Sequence, residues 1–65
     1  MITDKEGNKI LNESNWGINW AWTREFDSFD GADEFVKWLD SKGFDHRGVY
    51  MPDKYHVGYT IRWRH

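Results

Sequence analysis

Residues 15–26 read NWGINWAWTREF, and the placement of this stretch decides the fold. Trp16, Ile18, Trp20, Trp22 and Phe26 occupy even positions, whereas Gly17, Asn19, Ala21, Thr23 and Glu25 occupy odd ones. Successive side chains of an extended strand point to opposite faces, so this alternation predicts one half-buried strand with its even face on the core. Trp20 is then a core residue, and the odd positions face solvent.

Toward the N-terminus, Met1-Ile2-Thr3 and Lys9-Ile10-Leu11 flank Asp4-Lys5-Glu6-Gly7-Asn8. Gly and Asn tolerate the positive φ of a tight loop, so the segment reads as a short hairpin. Toward the C-terminus, residues 31–42 form a predicted helix. Asp30 serves as its N-cap, Asp33 and Glu34 lie in its first turn, Lys42 in its last, and Gly43 at the left-handed position beyond it. At 100° per residue Gly31, Phe35, Trp38, Leu39 and Lys42 share one side, with Ala32 at its edge.

The remaining residues read as a second hairpin. Val49 and Met51 share parity with Tyr55, Val57, Tyr59, Ile61 and Trp63, which a loop of Pro52, Asp53 and Lys54 keeps on one face. That register pairs Val49 with Val57, Gly48 with Gly58, Tyr50 with His56 and His46 with Thr60. A strand, a crossover helix and a returning strand place the Trp-rich strand parallel to the Val49 strand, with the last strand inserted between them. The expected fold is therefore α+β. One domain over residues 1–65 forms a mainly antiparallel twisted sheet in the order βββαββ, with one helix packed on one face.

A chain of 65 residues is a single small domain of marginal stability. With no Cys and only three His, neither a disulfide nor a structural zinc is expected to staple it. Five Trp, four Phe and three Tyr take that role through packing. A Cys-free chain suits the cytoplasm, no secretory leader is expected with Asp4 and Glu6 so early, and no apolar run is long enough to span a membrane.

No residue pattern calls for catalysis or a cofactor. There is no nucleophile elbow and no glycine-rich phosphate loop, and Asp45 and His46 point to opposite faces of a strand, so no orienting dyad forms. His46, His56 and His65 lack the company of a metal-binding set. The expectation is a protein that is not an enzyme and works by occupying another macromolecule's surface.

Charge narrows where it would do so. The formal net charge of −2 argues against a generic polyanion binder. Between residues 25 and 45 seven acids face only Lys37 and Lys42, whereas residues 46–65 carry Arg47, Lys54, Arg62 and Arg64 against Asp53. Helix capping accounts for Asp30, Asp33 and Glu34 but not for Glu25, Asp27, Asp40 and Asp45, which are the candidate contacts for a protein partner. Trp16, Tyr55 and Trp63, at the ends of their strands, are the candidate aromatic contacts.

The preferred expectation is a protein-binding module, an inhibitor, adaptor or accessory subunit of a larger protein or nucleic-acid machine. The alternative is single-stranded nucleic-acid binding on the uncovered sheet face through Tyr50, His56, Arg62 and Arg64. A third is a self-assembling structural subunit. The protein itself is expected to be a monomer or weak homodimer.

Overall fold

Thr3 accepts the Glu6 backbone N–H at 3.2 Å, and with Asp4 and Glu6 in the first turn this cap starts a helix, α1 (Asp4–Asn12), where a hairpin was expected. The computed structural model describes residues 2–65, so Met1, placed above in the first strand, lies outside the described residues. Gly7 and Asn8, which read as loop residues, stand inside the helix. Gly7 is there for closeness of approach: a Cβ on it would fall inside the Trp38 indole. Asp4 completes the contact by accepting from Trp38 Nε1 at 3.1 Å and Lys42 Nζ at 3.0 Å. The Lys42 and then the Trp38 hydrogen bond hold the Asp4 carboxyl below its usual pKa.

The second helix, α2 (Phe29–Ser41), starts two residues before its expected position. Ser28, not Asp30, is the N-cap and accepts from Gly31 N–H at 3.1 Å. At the other end Gly43 has φ +80°, as a left-handed C′ residue should. Ala32, Phe35, Trp38 and Leu39 are buried, and Lys37 pairs with Asp33 at 3.3 Å on the solvent side.

Residues 15–26 do not form one strand. They fold into β1 (Asn15–Trp16) and β2 (Ala21–Trp22), antiparallel, with Asn15 opposite Trp22 and Trp16 opposite Ala21. Gly17 N–H donates to the Trp20 carbonyl at 2.8 Å, closing a tight turn with the exposed Ile18 at its tip. A two-residue turn pairs even positions with odd ones, so the core face passes from Trp16 to Ala21. Ala21 and Thr23 are buried, while Trp20 and Trp22 point the other way.

A bulge then restores the original parity. Trp22 lies opposite Arg62 and Phe26 opposite Tyr59, which leaves one extra residue on the first strand. The Thr23 hydroxyl fills the gap, accepting the Ile61 N–H at 3.2 Å where a backbone carbonyl would otherwise do so. Phe26 therefore returns to the core.

The last two strands are β3 (Asp45–Tyr50) and β4 (Thr60–Arg64). Val49 pairs with Ile61 and Tyr50 with Thr60, in place of the expected Val57 and His56. Beyond a shift between His46 and Val49, at Gly48 with φ +81°, His46 pairs with Trp63 and Asp45 with Arg64. The fold is α+β, with two helices and a four-stranded antiparallel sheet ordered β1-β2-β4-β3. The element order is αββαββ, not the expected βββαββ. Ile10 of α1 and Ala32, Phe35, Trp38 and Leu39 of α2 share one core with Ala21, Ile61 and Trp63. Two helices, not one, therefore lie on a single face of the sheet, and no helix covers the other, where Thr60 is nonetheless buried.

Two substitutions check this packing. Helix propensity alone would make Gly7→Ala stabilising by about 1 kcal/mol. The indole in the Cβ position reverses the sign, so urea unfolding should show a lower midpoint, and a higher one would contradict the α1–α2 contact. Trp38→Ala should cost about 3–5 kcal/mol, whereas Trp20→Ala, on the uncovered face, should cost about 1–2 kcal/mol. Equal losses would return Trp20 to the core.

Candidate site on the open sheet face

Strand alternation assigns the uncovered face from the register. In β4, Ile61 and Trp63 enter the core, so Arg62 and Arg64 stand on the open side. Their neighbours there are Trp20 and Trp22 from the β1–β2 hairpin and Asp45, Arg47 and Tyr50 from β3. The Arg62 guanidinium carbon lies 5.2 Å from the Trp22 ring centroid and 4.7 Å from that of Tyr50, a sandwich across three strands. Arg64 lies 4.4 Å and Arg47 5.6 Å from the Trp20 ring. Each such contact contributes about 0.5–1 kcal/mol when exposed and more when desolvated.

The guanidinium groups differ in their counter-ions. Arg64 Nε donates to Asp45 Oδ2 at 3.0 Å. Arg47 and Arg62 make no ion pair among the described residues. Arg62 Nη1 is moreover buried and meets no protein acceptor. A desolvated donor left unmatched costs about 1–3 kcal/mol, and more when charged. The two rings hold Arg62 in place at that cost.

Residues 51–59 border this face. They replace the expected loop of three residues, but local hydrogen bonds order them. Asp53 Oδ1 accepts from the backbone N–H groups of Tyr55 at 2.8 Å and His56 at 2.9 Å, and Asp53 N–H donates to the His56 carbonyl at 2.9 Å. These bonds, Tyr55's first, lower the Asp53 carboxyl pKa, with a smaller contribution from the charge of Arg62. Glu25 Oε1 accepts from Gly58 N–H at 2.9 Å, and Phe26 and Tyr59 exchange backbone bonds of 2.7 and 3.0 Å. The ordered loop carries Tyr55, 77% exposed, and Val57, 95% exposed, into solvent.

The four acids proposed as partner contacts do not form one patch. Glu25 holds Gly58 and lies 3.7 Å from His56 Nδ1, Asp40 meets His46 Nε2 at 2.6 Å on the helix side, and Asp45 pairs with Arg64 on the open side. Asp27 is exposed in the bend before α2. Of the aromatic candidates, Tyr55 is exposed and Trp16 is 53% exposed, its ring edge-on to Trp63 at 5.3 Å. Trp63 must be corrected: it is 3% exposed, and its Nε1 donates to Ser14 Oγ at 2.9 Å, so it belongs to the core.

Of the nucleic-acid candidates, Tyr50, Arg62 and Arg64 come together. His56 does not, because it sits in the loop and not opposite Tyr50. His46 also leaves the open face: its Nδ1 accepts from Gly48 N–H at 3.2 Å, which directs Nε2–H to Asp40. Trp20, Trp22 and Arg47 join the site without having been expected there. The sequence signal for Trp20 and Trp22 was the Gly17-Ile18-Asn19 stretch, which marks a turn inside the alternating pattern, and that for Arg47 was Gly48, where β3 shifts register.

Among the described residues no cluster of His, Asp and Glu is arranged to hold a metal ion, and no helix is long and apolar enough to cross a membrane. Comparisons with protein-family models, curated proteins and solved structures find no match.

The loop order is testable through Asp53. Because folding lowers this carboxyl's pKa, its tie is at full strength above about pH 4 and is lost as the pH falls through the lower folded value. Asp53→Ala should speed amide exchange at Tyr55 and His56 and leave Ile61 protected. Unchanged protection at Tyr55 would assign the order of the loop to other contacts.

Proposed function

We propose that the protein is a non-enzymatic binding module that holds an anionic macromolecule on the open face of its sheet. The observation that carries this is Arg62, a cation fixed between Trp22 and Tyr50 that makes no ion pair among the described residues, the charge of Asp53 reaching it only at longer range. A side chain already ordered loses little further freedom when an anion arrives. Arg47 and Arg64 widen the positive field, and Asp45 answers only one of the three.

The formal charge of −2 does not oppose this function, because the charges are separated in space. Asp30, Asp33, Glu34 and Asp40 belong to α2, on the far side of the sheet. The domain is 18 Å through its thinnest axis, about twice the screening length at physiological salt. A Cys-free chain is compatible with a cytoplasmic site of action. One observation also favours a protein as partner: Tyr55 and Val57 are held out to solvent on an ordered loop, the kind of anchor that interfaces use.

Tryptophan fluorescence, titrated with heparin, polyglutamate and oligonucleotides, tests the face without presuming the partner. At least one polyanion should shift the emission at low salt, less so at physiological salt, and Arg62→Met should abolish the shift while keeping an apolar stem between the rings. Silence from every polyanion at low salt would overturn the proposal. Tyr55→Ala should leave polyanion binding intact, since that ring lies on the loop and not on the sheet.

A further inference from the structure

The alternation of rings and guanidinium groups identifies the chemistry of the anion. We infer that the ligand is single-stranded nucleic acid, with bases stacked against the parts of the Trp20, Trp22 and Tyr50 rings left open to solvent and phosphates neutralised by Arg47, Arg62 and Arg64. This rests on the open face being the binding surface.

An acidic peptide would satisfy the arginines and leave the solvent-open parts of the rings, beyond the faces that the guanidinium groups already cover, without a planar partner. A base supplies that partner, because every base has a π-face, and guanidinium planes serve as stacking surfaces as well as rings do. The Trp22–Arg62–Tyr50 row crosses β2, β4 and β3. Two strand spacings make that row on the order of 10 Å long, a length along which roughly three nucleotides can lie at about 3.4 Å each.

A duplex fits poorly. Its bases are already stacked on one another, and it offers only their edges within a groove about 12 Å wide. A four-stranded sheet, three spacings or about 14 Å across, cannot lay its face in that groove.

Asp45 has a defined part in this. It is the counter-ion of Arg64 in the free protein, and a phosphate must displace it. Removing its charge should therefore strengthen binding. If Asp45 were instead a contact for a basic partner, the same change would weaken capture, so the sign of the effect separates the two roles.

The experiment compares four probes by tryptophan fluorescence at several salt concentrations: oligothymidylate, a duplex of the same length, an abasic oligodeoxynucleotide and polyglutamate. Oligothymidylate should bind at least about tenfold more tightly than the other three, as expected for one or more stacked bases. Its log affinity should fall against log salt with a slope of about −2, for three phosphates. Trp22→Leu should weaken oligothymidylate about tenfold, the loss of one stacked base, and leave the abasic strand unchanged, while Asp45→Asn should tighten oligothymidylate about two- to fivefold, the range of an exposed ion pair. Circular dichroism and urea midpoints confirm that each variant is folded. Equal binding of the abasic strand or polyglutamate would overturn the stacking inference and leave the anion-binding face standing. Preference for the duplex would overturn it too, and no binding by any probe would remove both.

Discussion

The hydrogen bond from Gly17 N–H to the Trp20 carbonyl closes the turn between β1 and β2, and with it the parity of the chain reverses. Trp16 stays on the helix side, Ala21 takes the core position opposite it, and Trp20 and Trp22 are turned outward. Had the strand continued straight, three indoles would have needed space beneath two short helices, and the outer face would have held Ala21 and Thr23. One turn thus sets both surfaces: the core closes over the small Ala21, and the outer face acquires the rings against which the arginines of β4 lie.

The uncovered face is rigid because the covered one is packed. In β4 the same backbone sends Ile61 and Trp63 inward and Arg62 and Arg64 outward, so whatever fixes the first pair positions the second. Trp63 is held edge-on by Trp16 and Phe44 and by its hydrogen bond to Ser14 Oγ at the end of α1. That chain of contacts runs from the N-terminal helix through the core to the guanidinium groups. A binding surface supported in this way is organised before its ligand arrives, which limits the ordering cost of association.

Much of this was legible in the sequence where one residue decides one local choice. Gly43 marked the end of α2, the apolar stripe of Phe35, Trp38 and Leu39 marked its buried side, and Ile61 and Trp63 marked the core face of β4. The N-terminal helix was not, because Gly7 and Asn8 are turn formers by local preference, and only the tertiary contact with Trp38 explains a glycine inside a helix. The cap pattern Thr3-x-x-Glu6 was the available signal for it. Strand faces were misassigned for a different reason: parity counts correctly only along an uninterrupted strand, and both the turn after Trp16 and the bulge at Thr23 shift it by one. The long loop after Tyr50 was hidden because Tyr55 and Val57 alternate with Tyr59 as strand residues do, although Asp53 and Glu25 hold the segment before Tyr59 off the sheet. Of the site, Tyr50, Arg62 and Arg64 followed from alternation alone, while Trp20 and Trp22 required the turn and Arg47 the register shift at Gly48.

The distribution of charge follows from the same geometry. Glu25, Asp40 and Asp45 each tie one segment to another: the loop to the start of the α2 connection, β3 to α2, and β3 to β4. Asp4 does the same between the two helices. Exposed ties of this kind contribute little to stability one by one, but each fixes the path of a segment that the small core cannot reach. Acids used as ties are balanced where they stand. Among the described residues Arg47 and Arg62 make no ion pair, Asp53 acting on Arg62 only at longer range, and Arg62 is held against rings instead of being released to water. The imbalance that matters is therefore local, two unmatched cations on a flat aromatic surface, and it persists in a protein whose total charge is negative.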